Sequence, residues 1–191
     1  MPRVFALLIF VVVGVIFPAG AAAQTSSTGG AQFSDPAPIV APGSKATLLP
    51  DGTAAAPADA PPQVQAAIFA ANKLLDKPYK YGGGHAKVED SGYDCSGTVS
   101  YALIHAGLLA SPLPSGPFMH WGARGRGQWI TVFANGGHAY AVIAGLRLDT
   151  SAYSARTVSK RRYAKALERG PRWRPTKRPS RGFRKRHPVG F

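Results

Sequence analysis

Residues 128–151, QWITVFANGGHAYAVIAGLRLDTS, decide the fold. Val, Ile, Thr, Phe and Tyr crowd this stretch, and two short glycine-bearing breaks divide it, so it reads as three strands, QWITVFA, HAYAVIAG and LRLDTS, joined by tight turns. Asn135-Gly136 is a strong hairpin signal. A second hairpin turning near Ala144-Gly145 is expected to set His138 opposite Thr150, with Asp149 beside it.

Upstream the period changes. PPQVQAAIFAANKLLDKPY places Val64, Ala67, Ile68, Ala71, Leu74 and Leu75 on one stripe and predicts a helix over 62–75, begun by Pro61-Pro62 and ended before Pro78. The following YKYGGGHAKVEDSGYD carries Gly82, Gly83, Gly84 and Gly92 and reads as a loop that lets backbone approach a neighbour closely. A second helix is predicted over 96–106, with Val99, Ala102, Leu103 and Ala106 inward, Asp94 as N-cap and Gly107 as the stop. A Pro/Gly loop, SPLPSGPFMHWGARGRG, then leads to the strands. Helices first and an antiparallel meander second make an α+β layer fold, N-terminal helices packed on an antiparallel sheet.

The ends are of different composition. Residues 1–23 combine Arg3, an uncharged apolar run from Val4 to Phe17, a Pro18 break and a small-residue stretch ending in Ala23, the layout of a secretory signal cleaved before Gln24. A retained anchor is the competing reading; in both the remainder faces the outside of a membrane. Residues 24–60 are Ala, Pro, Ser and Thr rich with few large apolar side chains, and are expected to form a disordered linker. The folded domain is therefore expected over 61–155. Of the formal charge of +14, the last 36 residues, 156–191, supply +13: fourteen Lys/Arg stand against Glu168 alone. That basic segment suits an anionic wall polymer or envelope surface, and export makes nucleic acid an unlikely partner. Within it, GPRWRP and RGFRKRHPVGF could each add an edge strand to the domain.

Cys95 is the only cysteine of the chain, so no intrachain disulfide is available to it. It could be a small buried hydrophobe, an intermolecular disulfide partner or a nucleophile. Its place in the first turn of the second helix, where unpaired N–H groups and the helix dipole favour a thiolate and could stabilise an oxyanion, points to the nucleophile. Of the five histidines, His105 lies too far along the same helix, His85 and His120 sit in loops, and His187 belongs to the basic segment. His138 opens a strand directly after glycines and is the best base. Asp149 is the acid placed to orient it. No metal or cofactor is expected.

From about Pro61 to Tyr153 the chain resembles the NlpC-type cell-wall cysteine peptidases, a compact papain-like family. The matching blocks are PYKYGG at 78–83, YDCSG at 93–97, GGHAYAVIAG at 136–145 and LDTS at 148–151. The resemblance implies Cys95 as nucleophile, His138 as base and Asp149 as the third polar residue, often histidine in that family. It implies that Asp94 and Ser96 help hold the free amine of a peptidoglycan stem peptide and that Tyr79 and Tyr81 line the groove. Tyr81 stands where the family pattern has Trp, and no separate wall-binding repeat is present. The activity implied is hydrolysis of a stem-peptide amide through a Cys thioester by an exported, monomeric enzyme. Acyl transfer or amide hydrolysis on another substrate, and a non-catalytic cationic envelope-binding protein, are the alternatives.

Overall fold

The computed structural model describes residues 38–151, 170–175 and 177–191. The signal-like segment 1–23, residues 24–37 of the linker, residues 152–155 at the end of the expected domain, and residues 156–169 and 176 of the basic segment lie outside the described residues. Among the described residues no helix is long and apolar enough to cross a membrane.

Helix α1 spans Pro62–Asn72 and buries Val64, Ala67, Ile68 and Ala71, each larger member of that stripe contributing about 1.5–3 kcal/mol. The helix stops three residues earlier than the periodicity suggests. Lys73, Leu74 and Leu75 donate instead to the carbonyls three residues back, a tighter winding that still buries both leucines. Helix α2 spans Cys95–His105; Asp94 caps it by accepting the Gly97 N–H at 2.7 Å. The Pro/Gly loop contains one short helix, α3 (Ser115–Phe118), which seats the buried Phe118.

The expected disordered linker is corrected over its second half. Residues 40–57 form β1 (Val40–Ala41), β2 (Thr47–Leu48) and β3 (Ala54–Pro57), in the order β1-β3-β2 with β1 parallel and β2 antiparallel to β3. The folded unit thus begins well before Pro61. Composition hid this because Ala54, Ala55 and Ala56 are buried without being large, and because a distant side chain satisfies the backbone of Ala54. Asn72 Oδ1 accepts the Ala54 N–H and Asn72 Nδ2 donates to the Ala54 carbonyl, both at 2.9 Å, as a neighbouring strand would.

The main sheet has six strands in the order β4-β9-β5-β6-β7-β8, every pairing antiparallel. They are β4 (Ala123–Arg124), β5 (Ile130–Asn135), β6 (His138–Ile143), β7 (Leu146–Asp149), β8 (Arg172–Arg174) and β9 (Arg184–His187). Helices and an antiparallel sheet make the protein α+β, as expected. The basic segment does more than add edges: β8 is an edge strand on β7, but β9 lies inside the sheet between β4 and β5. Trp173 on β8 joins the core and donates from Nε1 to Asn72 Oδ1 at 2.7 Å.

Alternation divides the sheet into two faces. Ile130, Val132, Ala139, Ala141, Ile143, Leu146 and Leu148 share the core with α1 and α2. Phe133, His138, Tyr140, Arg147 and Asp149 occupy the other parity. The β6–β7 register is Ala141↔Leu148 and Ile143↔Leu146, with Ala144 (φ 47°) and Gly145 (φ 86°) alone in a turn that needs two left-handed residues. The expected pairing of His138 with Thr150 is therefore one residue out. The correction matters, because a one-residue slip moves every side chain to the other face; the observed register sets His138 and Asp149 on the same one.

Candidate active site

Three elements meet at the end of the sheet where β6 begins. The Asp94 cap starts α2 at Cys95, so the half-buried thiol sits in the first helical turn beside the Cys95 and Ser96 amides. Asn135 shapes the β5–β6 turn by accepting from the N–H groups of Gly137 and His138, which sets where β6 begins. The imidazole of His138 lies within hydrogen-bonding reach of the Cys95 side chain. Its Nε2–H donates to Asp149 Oδ1 at 3.0 Å, which leaves Nδ1 as the ring nitrogen able to take up a proton.

Asp149 is completely enclosed, its side chain 0 % exposed. Oδ1 also accepts the Ser151 N–H at 2.8 Å, while Oδ2 faces Arg178 at 3.0 Å and Arg147 at 3.6 Å. Burial pushes the Asp149 carboxyl up, but the His138 bond and the Arg178 charge outweigh it and hold the group below its ordinary value. Burial likewise pulls His138 down. The hydrogen bonds and charges of Asp149 and Cys95 win, raising it from 6.5 to about 8.

Arg178 is the site residue that sequence reading missed. Its guanidinium lies 5.3 Å from the ring centres of both Tyr140 and Phe183. Phe183 in turn meets His138 edge-on at 6.3 Å, and Tyr140 stacks on Phe133 at 4.7 Å. The imidazole therefore stands beside an aromatic patch partly built by the basic segment. Nothing local marks Arg178, one of fourteen cations in 36 residues.

The remaining sequence candidates lie around the α2 N-terminus. Asp94 is heavily engaged: Oδ1 receives the Gly97 N–H, the Ser96 hydroxyl and His85 Nε2, and Oδ2 the Gly82 N–H. It ties the glycine loop to the helix, and Ser96 joins the same cluster through His85 at 3.2 Å. Gly97 makes that approach possible, because a Cβ there would strike the Gly83 carbonyl oxygen. A second latch is Asp90, which binds Lys80 at 2.7 Å and the Gly84 N–H at 3.2 Å; the Lys80 bond holds its carboxyl well below the usual range. Tyr79 is half-buried and bridges to Tyr93, whereas Tyr81 projects from the loop, 91 % exposed.

The described residues define an α+β protein with a thiol, an imidazole and an enclosed carboxylate in series. No family model, curated protein or solved structure matches the chain.

Proposed function

We propose that the protein is an exported cysteine peptidase that hydrolyses an amide in peptidoglycan stem peptides, on a papain-like arrangement of helix and sheet. The observation that carries this reading is the Cys95–His138–Asp149 series, in which the thiol begins a helix and the imidazole is held by a buried carboxylate. Cys95 Sγ attacks the amide carbonyl carbon, and the first-turn amides offer N–H groups to the developing oxyanion. His138 takes the thiol proton and returns it to the leaving amine, whose C–N bond breaks to leave a thioester. Water, deprotonated by His138, then releases the acid and restores the thiol. Tyr81 and the latched glycine loop supply an exposed aromatic wall for the stem peptide; Asp94 and Ser96 would meet its free amine only by exchanging a present hydrogen bond.

Envelope adsorption belongs to the same reading. Arg124, Arg184 and Lys185 border a surface cavity of about 300 Å³ with Phe183. Among the described residues none of these three cations has a carboxylate partner, and an anionic wall polymer would supply one.

The test is mass spectrometry of fragments released from a defined stem peptide, with and without thiol alkylation. Cys95→Ala should abolish cleavage while the circular dichroism spectrum is retained. Cleavage by that variant at the parental rate would overturn the assignment. Joining of the acyl fragment to an added amine, in place of hydrolysis, would identify a transferase.

A further inference from the structure

The enclosed carboxylate is surrounded by more positive charge than orienting one imidazole requires. Arg147 reaches it along β7 and Arg178 arrives from the basic segment, 29 residues away in sequence. Arg178 is itself nearly enclosed, with 8 % of its side chain exposed. It also lies 3.2 Å from His138 Nε2. A guanidinium has only donors, and Nε2 is already donating to Asp149, so this second contact is not an attractive hydrogen bond. The carboxylate between them holds the guanidinium beside the imidazole.

We propose that Arg178 is a charge-balancing residue of the site: it sits on Asp149 Oδ2, on the side of the carboxylate away from the imidazole-binding Oδ1, and its cation restrains how strongly Asp149 favours the imidazolium. The inference rests on the peptidase reading for its purpose, since a base that must also give up its proton works best with a pKa near the working pH. Without the second cation, the buried carboxylate would hold the imidazolium more firmly and hinder that second task. The basic segment thus reaches into the catalytic centre, in addition to whatever its exposed cations bind.

The charged and titratable groups facing this imidazole come from every element around it. Asp149 and Arg147 lie on β7, Tyr140 on β6 and Cys95 on α2; Arg178 comes from the segment before β9. Arg174 on β8 contacts the Asp149 backbone carbonyl at 3.3 Å. Arg147 and the Ser151 N–H remain on Asp149 when Arg178 is removed, so the carboxylate keeps its place. Loss of the nearby cation then governs the result: the imidazolium becomes easier to form, and the His138 titration moves up.

The experiment is a histidine NMR titration of the full chain, with the His138 resonance assigned by comparison with His138→Gln. Arg178→Met is expected to raise the His138 midpoint by about one pH unit, the lower end of what a charge at this range produces. Arg178→Lys keeps the charge and should leave the midpoint near that of the parent. Should Arg178→Met fail to fold, Arg178→Gln removes the charge but retains a hydrogen-bond donor, and the same rise is expected. An unchanged or lowered midpoint in a folded uncharged variant would overturn the proposal, reducing Arg178 to a packing role between Tyr140 and Phe183. The titration does not require hydrolysis. If the uncharged variants show the shift while the parent cuts no stem peptide, the peptidase reading is defeated and the charge balance stands.

Discussion

Replacing Asn72 with Ala should cost far more than one polar side chain at a helix end usually does. Its carboxamide makes three hydrogen bonds: two to the Ala54 backbone at 2.9 Å and one from Trp173 Nε1 at 2.7 Å. Ala54 is fully buried and Trp173 nearly so. Alanine leaves a buried N–H, a buried carbonyl and an indole N–H without their partner, and each orphaned group costs about 1–3 kcal/mol. With partial relaxation the total is about 3–5 kcal/mol, a large share of the ~5–15 kcal/mol that holds a domain together. Trp173→Phe is the control. It removes one donor while Asn72 Oδ1 keeps the Ala54 N–H, so that variant should lose only about 1–2 kcal/mol. Urea unfolding followed by tryptophan fluorescence and circular dichroism measures both. Hydrogen exchange at the Ala54 amide should accelerate in Asn72→Ala and stay near the parental rate in Trp173→Phe. If the two variants unfold at the same urea concentration, Asn72 is not the tie between the N-terminal strands and the basic segment.

Three further outcomes follow from the same geometry. Gly97→Ala would ordinarily gain up to about 1 kcal/mol of helix propensity, but overpacking against the Gly83 carbonyl costs about 1–3 kcal/mol; thermal melts should show a net loss, and a stabilised variant would mean that the glycine loop does not press on α2. Because His138 titrates at about 8 instead of 6.5, its contribution to stability, about 2 kcal/mol, is complete below pH 6.5 and lost as pH rises through 8. Urea midpoints should fall over that window in the parent and not in His138→Gln; equal slopes would refute the linkage. Asp149→Asn leaves Arg147 and Arg178 facing a neutral amide, which should cost about 3–5 kcal/mol and slow stem-peptide cleavage. A variant as stable as the parent would show that the two arginines do not depend on this carboxylate.

Much of this protein is legible in short windows of its sequence, because the forces that make those parts are local. The 3.6-residue stripe of α1, the Asp94 cap of α2, the strands on either side of Asn135-Gly136 and the turn at Ala144-Gly145 each follow from residues that touch their own neighbours. Cys95 could be singled out because a helix start lies beside it, and His138 and Asp149 because one hairpin joins them. Even there, the face that each side chain takes depended on a register one residue from the expected one. Tertiary structure alone decided the rest. Ala54–Ala56 became a buried strand between β1 and β2 with Asn72 completing the Ala54 backbone, β9 entered between β4 and β5, and Arg178 settled on Asp149. Each of these joins segments far apart in the chain, and each depends on how a polar group is satisfied once water is excluded. Composition and periodicity report what a residue prefers near its neighbours; they carry no record of which distant partner will complete its hydrogen bonds or balance its charge.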